Sequence, residues 1–92
     1  MKFMLSWRIA PGNHKPAAEG FMKTRAPMPA GLRLVGRWHA PGSVQGWALV
    51  EADDARAVYH HVAEWANLLS FDVTPVVEDP EAGESLAVVY GC

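Results

Sequence analysis

Histidine is the side chain whose ordinary pKa lies nearest working pH, so the four histidines are the first places to look for acid–base chemistry. His39 stands beside Trp38, just before the turn signal Ala40-Pro41-Gly42-Ser43. There it can serve as a general base or anchor a ligand; the plainer role is a hairpin-end residue bonded to backbone. His60 and His61 are adjacent, so on a helix they diverge by about 100°. A two-histidine helical metal site needs spacing such as i and i+4, which rules them out as joint ligands. By position His60 falls near the solvent face and His61 on the flank, while His14 reads as a helix-start residue. Cys92 is the only cysteine, so there is neither a disulfide framework nor a cysteine zinc site. A catalytic thiol is not expected at a fraying terminus. We expect no metal and no cofactor.

The four tryptophans exceed what a core of this size needs. Trp7 and Trp47 read as packing groups on central strands. Trp38 and Trp65 are either core or the walls of a flat apolar pocket, where an indole also leaves an N–H to orient a ligand. Among the carboxylates, Asp53 and Asp54 most simply cap a helix, and Asp72, Glu78 and Asp79 lie along or beyond the last strand. No pair shows the split environments that acid and base roles demand. GxGxxG, Walker A, HExxH and GxSxG patterns are absent, which makes hydrolase and thiol chemistry poor fits.

These side chains must be positioned by short regular elements. Residues 2–9 alternate, with Phe3, Leu5, Trp7 and Ile9 on one side, the period-2 pattern of a strand. Pro11-Gly12-Asn13 ends it. Asn13 or His14 can cap a helix that carries Pro16 in its first turn and Ala17, Ala18, Phe21 and Met22 at helical spacing. Gly20 weakens that helix or lets a neighbour approach it. Residues 31–39 form a second strand, with Leu32, Leu34, Gly36 and Trp38 on one face and Arg33, Val35, Arg37 and His39 on the other. Residues 44–51 form a third, apolar on both faces at its centre. A second helix over 54–69 presents Val58, Val62, Trp65 and Leu69 as an apolar stripe. Residues 71–78 form a fourth strand, and Pro75 places it at an edge or a bulge because proline cannot donate to a ladder. The remaining tail is a short helix or an arm, too apolar at Leu86–Tyr90 to float free. The order β-α-β-β-α-β predicts an α+β, ferredoxin-like fold: one domain over 1–92, a four-stranded antiparallel sheet with two helices on one face.

A 92-residue chain of 10.0 kDa, half hydrophobic and one-fifth charged, is a single globular domain. Its apolar runs are too short to span a bilayer, and its start reads as a strand rather than a secretion signal. With one cysteine, a reducing cytoplasm is the expected location. All but one of the eight Lys and Arg residues fall in 1–40, and all but one of the ten carboxylates in 41–92. Either this makes a basic face for an anionic ligand, or the two halves interleave and cancel. The net charge of −2 and the lack of aromatic RNA-binding motifs argue against nucleic acid as a partner.

Gly36-Arg37-Trp38-His39, Val50-Glu51-Ala52-Asp53-Asp54, Glu64-Trp65, Leu68-Leu69 and Phe71-Asp72-Val73-Thr74-Pro75-Val76, in this topology, resemble a family of small uncharacterised bacterial proteins of the dimeric α+β-barrel superfamily. The resemblance covers residues 1 to about 80. It implies a ferredoxin-like protomer whose open sheet face meets its twin, and no known reaction. The superfamily also holds cofactor-free quinol monooxygenases, haem-degrading monooxygenases and small-molecule lyases. The oxygenases use Asn, Trp and often His or Arg around a pocket between sheet and helices. Trp65, Asn67 and His39 match these by residue type, but the first strand has no Asn where the haem-degrading enzymes place theirs.

The expectation is a homodimer that binds a small apolar or aromatic molecule near Trp38, His39 and Trp65, with Asn67 entering only if its helix unwinds. His39 reaches such a pocket only if its strand twists or bulges. A cofactor-independent monooxygenase or isomerase is the rival, and an interaction protein without ligand the third reading. A filled core favours the third, an apolar cavity without polar groups the first, and a cavity reached by His39 or Asn67 the rival.

Overall fold

A computed structural model describes residues 1–91. The chain runs β1 (Lys2–Ile9), α1 (His14–Thr24), β2 (Leu32–His39), β3 (Gln45–Ala52), α2 (Ala55–Trp65), β4 (Leu69–Val76) and α3 (Asp79–Tyr90). The four strands pair antiparallel in the order β2-β3-β1-β4, giving the ferredoxin-like α+β sheet that the alternating elements predict, followed by a C-terminal helix. β4 lies at an edge, where Pro75 is tolerated. Helix α2 is shorter than its apolar stripe suggests. Ala66–Leu68 turn off it, with Ala66 N–H donating to Ala63 O at 3.4 Å and Leu68 N–H to Trp65 O at 3.0 Å. Leu69 therefore opens β4 rather than closing the helix stripe. Cys92 lies outside the described residues.

The register decides which side chains face the helices. Phe3 pairs with Val50, Leu5 with Ala48 and Trp7 with Gly46, so these residues share one face of the sheet. Phe3, Leu5, Leu32, Ala48, Val50, Ala52 and Val58 form the buried core there. The opposite face carries Met4, Trp47 and Leu49 at its centre, with Asp72, Thr74 and Val76 along β4. Trp47 thus stands on the open face instead of packing in the core.

Strand β2 departs from simple alternation. Leu34 pairs with Val50 but Gly36 with Leu49, so one extra residue, Val35, is inserted and the pleat reverses. Beyond the bulge Arg37 pairs with Ala48 and His39 with Gly46, both on the helix face, while Trp38 pairs with Trp47 on the open face. The shared face expected for Leu32 and Trp38 is therefore broken at Val35.

The basic N-terminal and acidic C-terminal halves interleave. Lys2 pairs with Glu78, and Arg33 lies 3.7 Å from Glu51 and 3.4 Å from Asp53. The tail is a helix, α3, opened by Glu81 accepting from the Glu78 N–H at 3.0 Å and closed by left-handed Gly91. None of its residues is buried, and Val88, Val89 and Tyr90 are exposed.

Candidate functional site: an apolar cavity between sheet and helices

A cavity of about 290 Å³ lies between the sheet, α1 and α2. Its sheet wall is Leu5, Trp7 and Ala48, continued by Leu69 and Phe71 of β4. Helix α1 contributes Ala17 and Phe21, and α2 contributes His61 and Trp65. The positions follow from local sequence. Asp54 caps α2 by accepting from the N–H groups of Arg56 (2.9 Å) and Ala57 (3.3 Å), which fixes its start. From that start Val58, His61 and Trp65, spaced three and four apart, face inward. Asn13 leads α1 and donates to Leu68 O at 3.3 Å, tying the helix to the turn before β4. The Trp65 ring comes to 3.5 Å from where a Cβ on Gly20 would sit, so the indole lies against α1 at its glycine.

The sheet wall is opened by a second glycine. A Cβ at Gly46 would overlap the six-membered ring of Trp7, so only glycine lets that indole lie across β3. The Trp7 ring meets His39 edge-on at 5.3 Å between centroids, and the Phe21 ring also meets His39 edge-on at the same distance. His39 itself is exposed, at the rim of the cavity.

Two polar groups stand deeper. The Arg37 guanidinium donates to Arg25 O at 3.3 Å and to Ala26 O at 3.0 Å, and lies 5.6 Å from the Phe21 ring centroid. Arg25 and Ala26 both have positive φ, 61° and 46°, a strained geometry for residues other than glycine. Arg37 thus pins the strained turn that ends α1. Burial pushes its pKa below the ordinary value. His61 is only 5% exposed, and its Nδ1 is buried without a hydrogen bond. Glu64 Oε1 approaches that atom to 3.4 Å without forming one. Burial pulls the His61 pKa below its usual value, and Glu64 offsets part of that effect.

The structure separates the residues singled out by sequence. Trp65 and His39 line the cavity, His39 because of the bulge at Val35. Trp38 does not: it is 54% exposed on the other side of the sheet, its ring covering Gly36. Asn67 is exposed in the turn after α2 and does not line the cavity. Sequence reasoning missed Arg37 and placed His61 on a flank. The signals were present: a glycine next to a β-branched residue inside a strand marks a bulge, and His61 lies three residues from Val58 and four from Trp65.

The arrangement leaves a largely apolar space lined also by a guanidinium and imidazole groups. Among the described residues no three His, Cys, Asp or Glu side chains are grouped to hold a metal ion, and no helix is long and apolar enough to cross a membrane. No curated protein matches the chain. A family model described as a domain of unknown function, DUF3303, matches residues 1–90, and the chain belongs to that family.

Proposed function

We propose that this protein binds a small, largely apolar molecule between sheet and helices, and does so as a homodimer of the α+β-barrel kind in the cytoplasm. The cavity carries the reading. Its volume, about 290 Å³, is at the lower end of ligand pockets, roughly 300–1,000 Å³. It is nearly twice the size of the roughly 150 Å³ apolar cavity that accommodates benzene. A body of two fused aromatic rings fits that space. The dimer is supported by Met4, Trp38, Trp47 and Leu49 on the open sheet face, together with the exposed apolar end of α3. A second copy is the natural cover for an apolar surface of that kind.

The test is a screen of aromatic and quinone compounds by tryptophan fluorescence and thermal shift. Binding quenches emission and raises the melting temperature by mass action, and Trp65→Phe diminishes the quench. A set of bicyclic aromatics that neither quenches nor stabilises contradicts the proposal. Light scattering showing a 10.0 kDa particle at micromolar concentration contradicts the dimer.

A second reading, cofactor-independent monooxygenase or isomerase, is the one a cavity reached by His39 favours, and His39 and His61 both line this one. An imidazole there can move a proton on a bound ligand. Deuterium exchange into a bound carbonyl compound, lost in His39→Gln or His61→Gln, separates catalysis from binding.

A further inference from the structure

The cavity is unbalanced in charge. Its lining includes the Arg37 guanidinium and the imidazoles of His14, His39 and His61, and no carboxylate. His14 is already engaged, its Nε2 2.8 Å from Gly42 O at the surface. Arg37 is half-buried, and among the described residues no acid pairs with it; its partners are the two neutral carbonyls of Arg25 and Ala26. A guanidinium has five N–H donors, so this one keeps unspent donors beside an apolar space. His61, nearly fully buried, adds an imidazole to the lining; its Nδ1 makes no hydrogen bond and stands 3.4 Å from Glu64 Oε1. A partly desolvated guanidinium without a counter-charge is costly, and a bound anion removes that cost.

We infer that the ligand of this cavity carries a carboxylate on its flat apolar body, held by Arg37 with His61 beside it and His39 at the rim. The inference rests on the cavity reading above and narrows its ligand to an aromatic or similarly apolar organic acid. Arg37 is suited to the role because its planar fork matches a carboxylate's two oxygens. The apolar walls exclude water from the pair and strengthen it.

The experiment compares 2-naphthoate with 2-naphthamide, which share shape and differ in charge, by calorimetric titration of the full chain at pH 7.5. The acid binds at least about tenfold more tightly than the amide, because charge-assisted hydrogen bonds are roughly twice as strong as neutral ones. Arg37→Met brings the ratio close to one, and His61→Phe lowers it. Since Arg37 also pins the turn at Arg25 and Ala26, the wild-type ratio decides the question even if Arg37→Met does not fold. Equal binding of acid and amide overturns the carboxylate and leaves the apolar cavity standing. Failure of both to bind overturns the cavity reading, and the carboxylate with it.

Discussion

Gly46→Ala is the substitution whose effect the geometry sets most sharply. In a strand, replacing glycine with alanine ordinarily stabilises by roughly 0.5–1 kcal/mol, because glycine has more backbone freedom to lose. Here the added methyl falls on Cζ2, Cε2 and Cη2 of Trp7. The indole is rigid, 8% exposed and edge-on to His39, so the methyl displaces it toward the cavity it lines, at the expense of its packing on β3. Overpacking costs about 1–3 kcal/mol, and a rigid ring pushed off its strand belongs in the upper half of that range. After subtracting the glycine term, the net loss is about 2 kcal/mol, or roughly 8–16 °C in melting temperature for a domain of this size. Gly36→Ala is the internal control. A Cβ there comes 2.5 Å from Trp38 Cη2, but that ring is 54% exposed in the single chain and no strand residue confines it, so it can shift across the open face. The expected cost is within about 0.5 kcal/mol of zero. Thermal unfolding followed by far-UV circular dichroism reads both. Trp7→Leu introduced into Gly46→Ala should recover part of the loss, a coupling that a double-mutant cycle isolates. A Gly46→Ala protein as stable as wild type, or a Gly36→Ala protein equally damaged, refutes the reasoning.

Three further outcomes follow from the helices. Gly20→Ala should stabilise by about 0.5–1 kcal/mol in chemical denaturation, since the new Cβ meets Trp65 at 3.5 Å, an ordinary contact, and α1 gains a better helix former; a loss of stability means the indole sits closer to α1 than described. Asp54→Ala should cost about 1 kcal/mol through the lost cap on α2, with Asp54→Ser nearly neutral by the same assay. The pH dependence has a definite sign at His61, where burial depresses the pKa below 6.5 against the opposing pull of Glu64, with Arg37 and His60 adding to the depression. The unfolded chain therefore binds this proton more readily than the folded one, so the contribution is intact above pH 6.5 and stability falls as pH drops below it. Between pH 7.5 and 5.5 the wild type should lose stability relative to His61→Gln in denaturant titrations; a gain on acidification means the imidazolium is favoured in the fold.

Much of the architecture was written in local pattern. Period-2 alternation in residues 2–9, capping at Asp54 and the proline at position 75 each act through short-range chemistry, and each led to the observed element. The bulge at Val35 is only faintly legible, in the glycine that follows it inside the strand. Its consequence is long-range: one inserted residue exchanged the faces of Arg37, Trp38 and His39, moving Arg37 into the cavity and Trp38 out of it. The end of α2 is hidden in the sequence for a related reason: Leu69 fits the helical stripe and the pleat of β4 equally well. The burial of His61 follows from the inward face of α2 as a whole, which a residue-by-residue ranking of histidines does not weigh.

The sheet itself supplies the most direct test of where a ligand binds. Trp7 and Trp65 line the cavity, while Trp38 and Trp47 stand on the opposite face. The four indole N–H resonances in a nitrogen–proton correlation spectrum therefore report separately on the two sides. Titration with 2-naphthoate should shift the indoles of Trp7 and Trp65 and leave those of Trp38 and Trp47 in place. Shifts confined to Trp38 and Trp47, or none at saturating ligand, would contradict a binding site between sheet and helices.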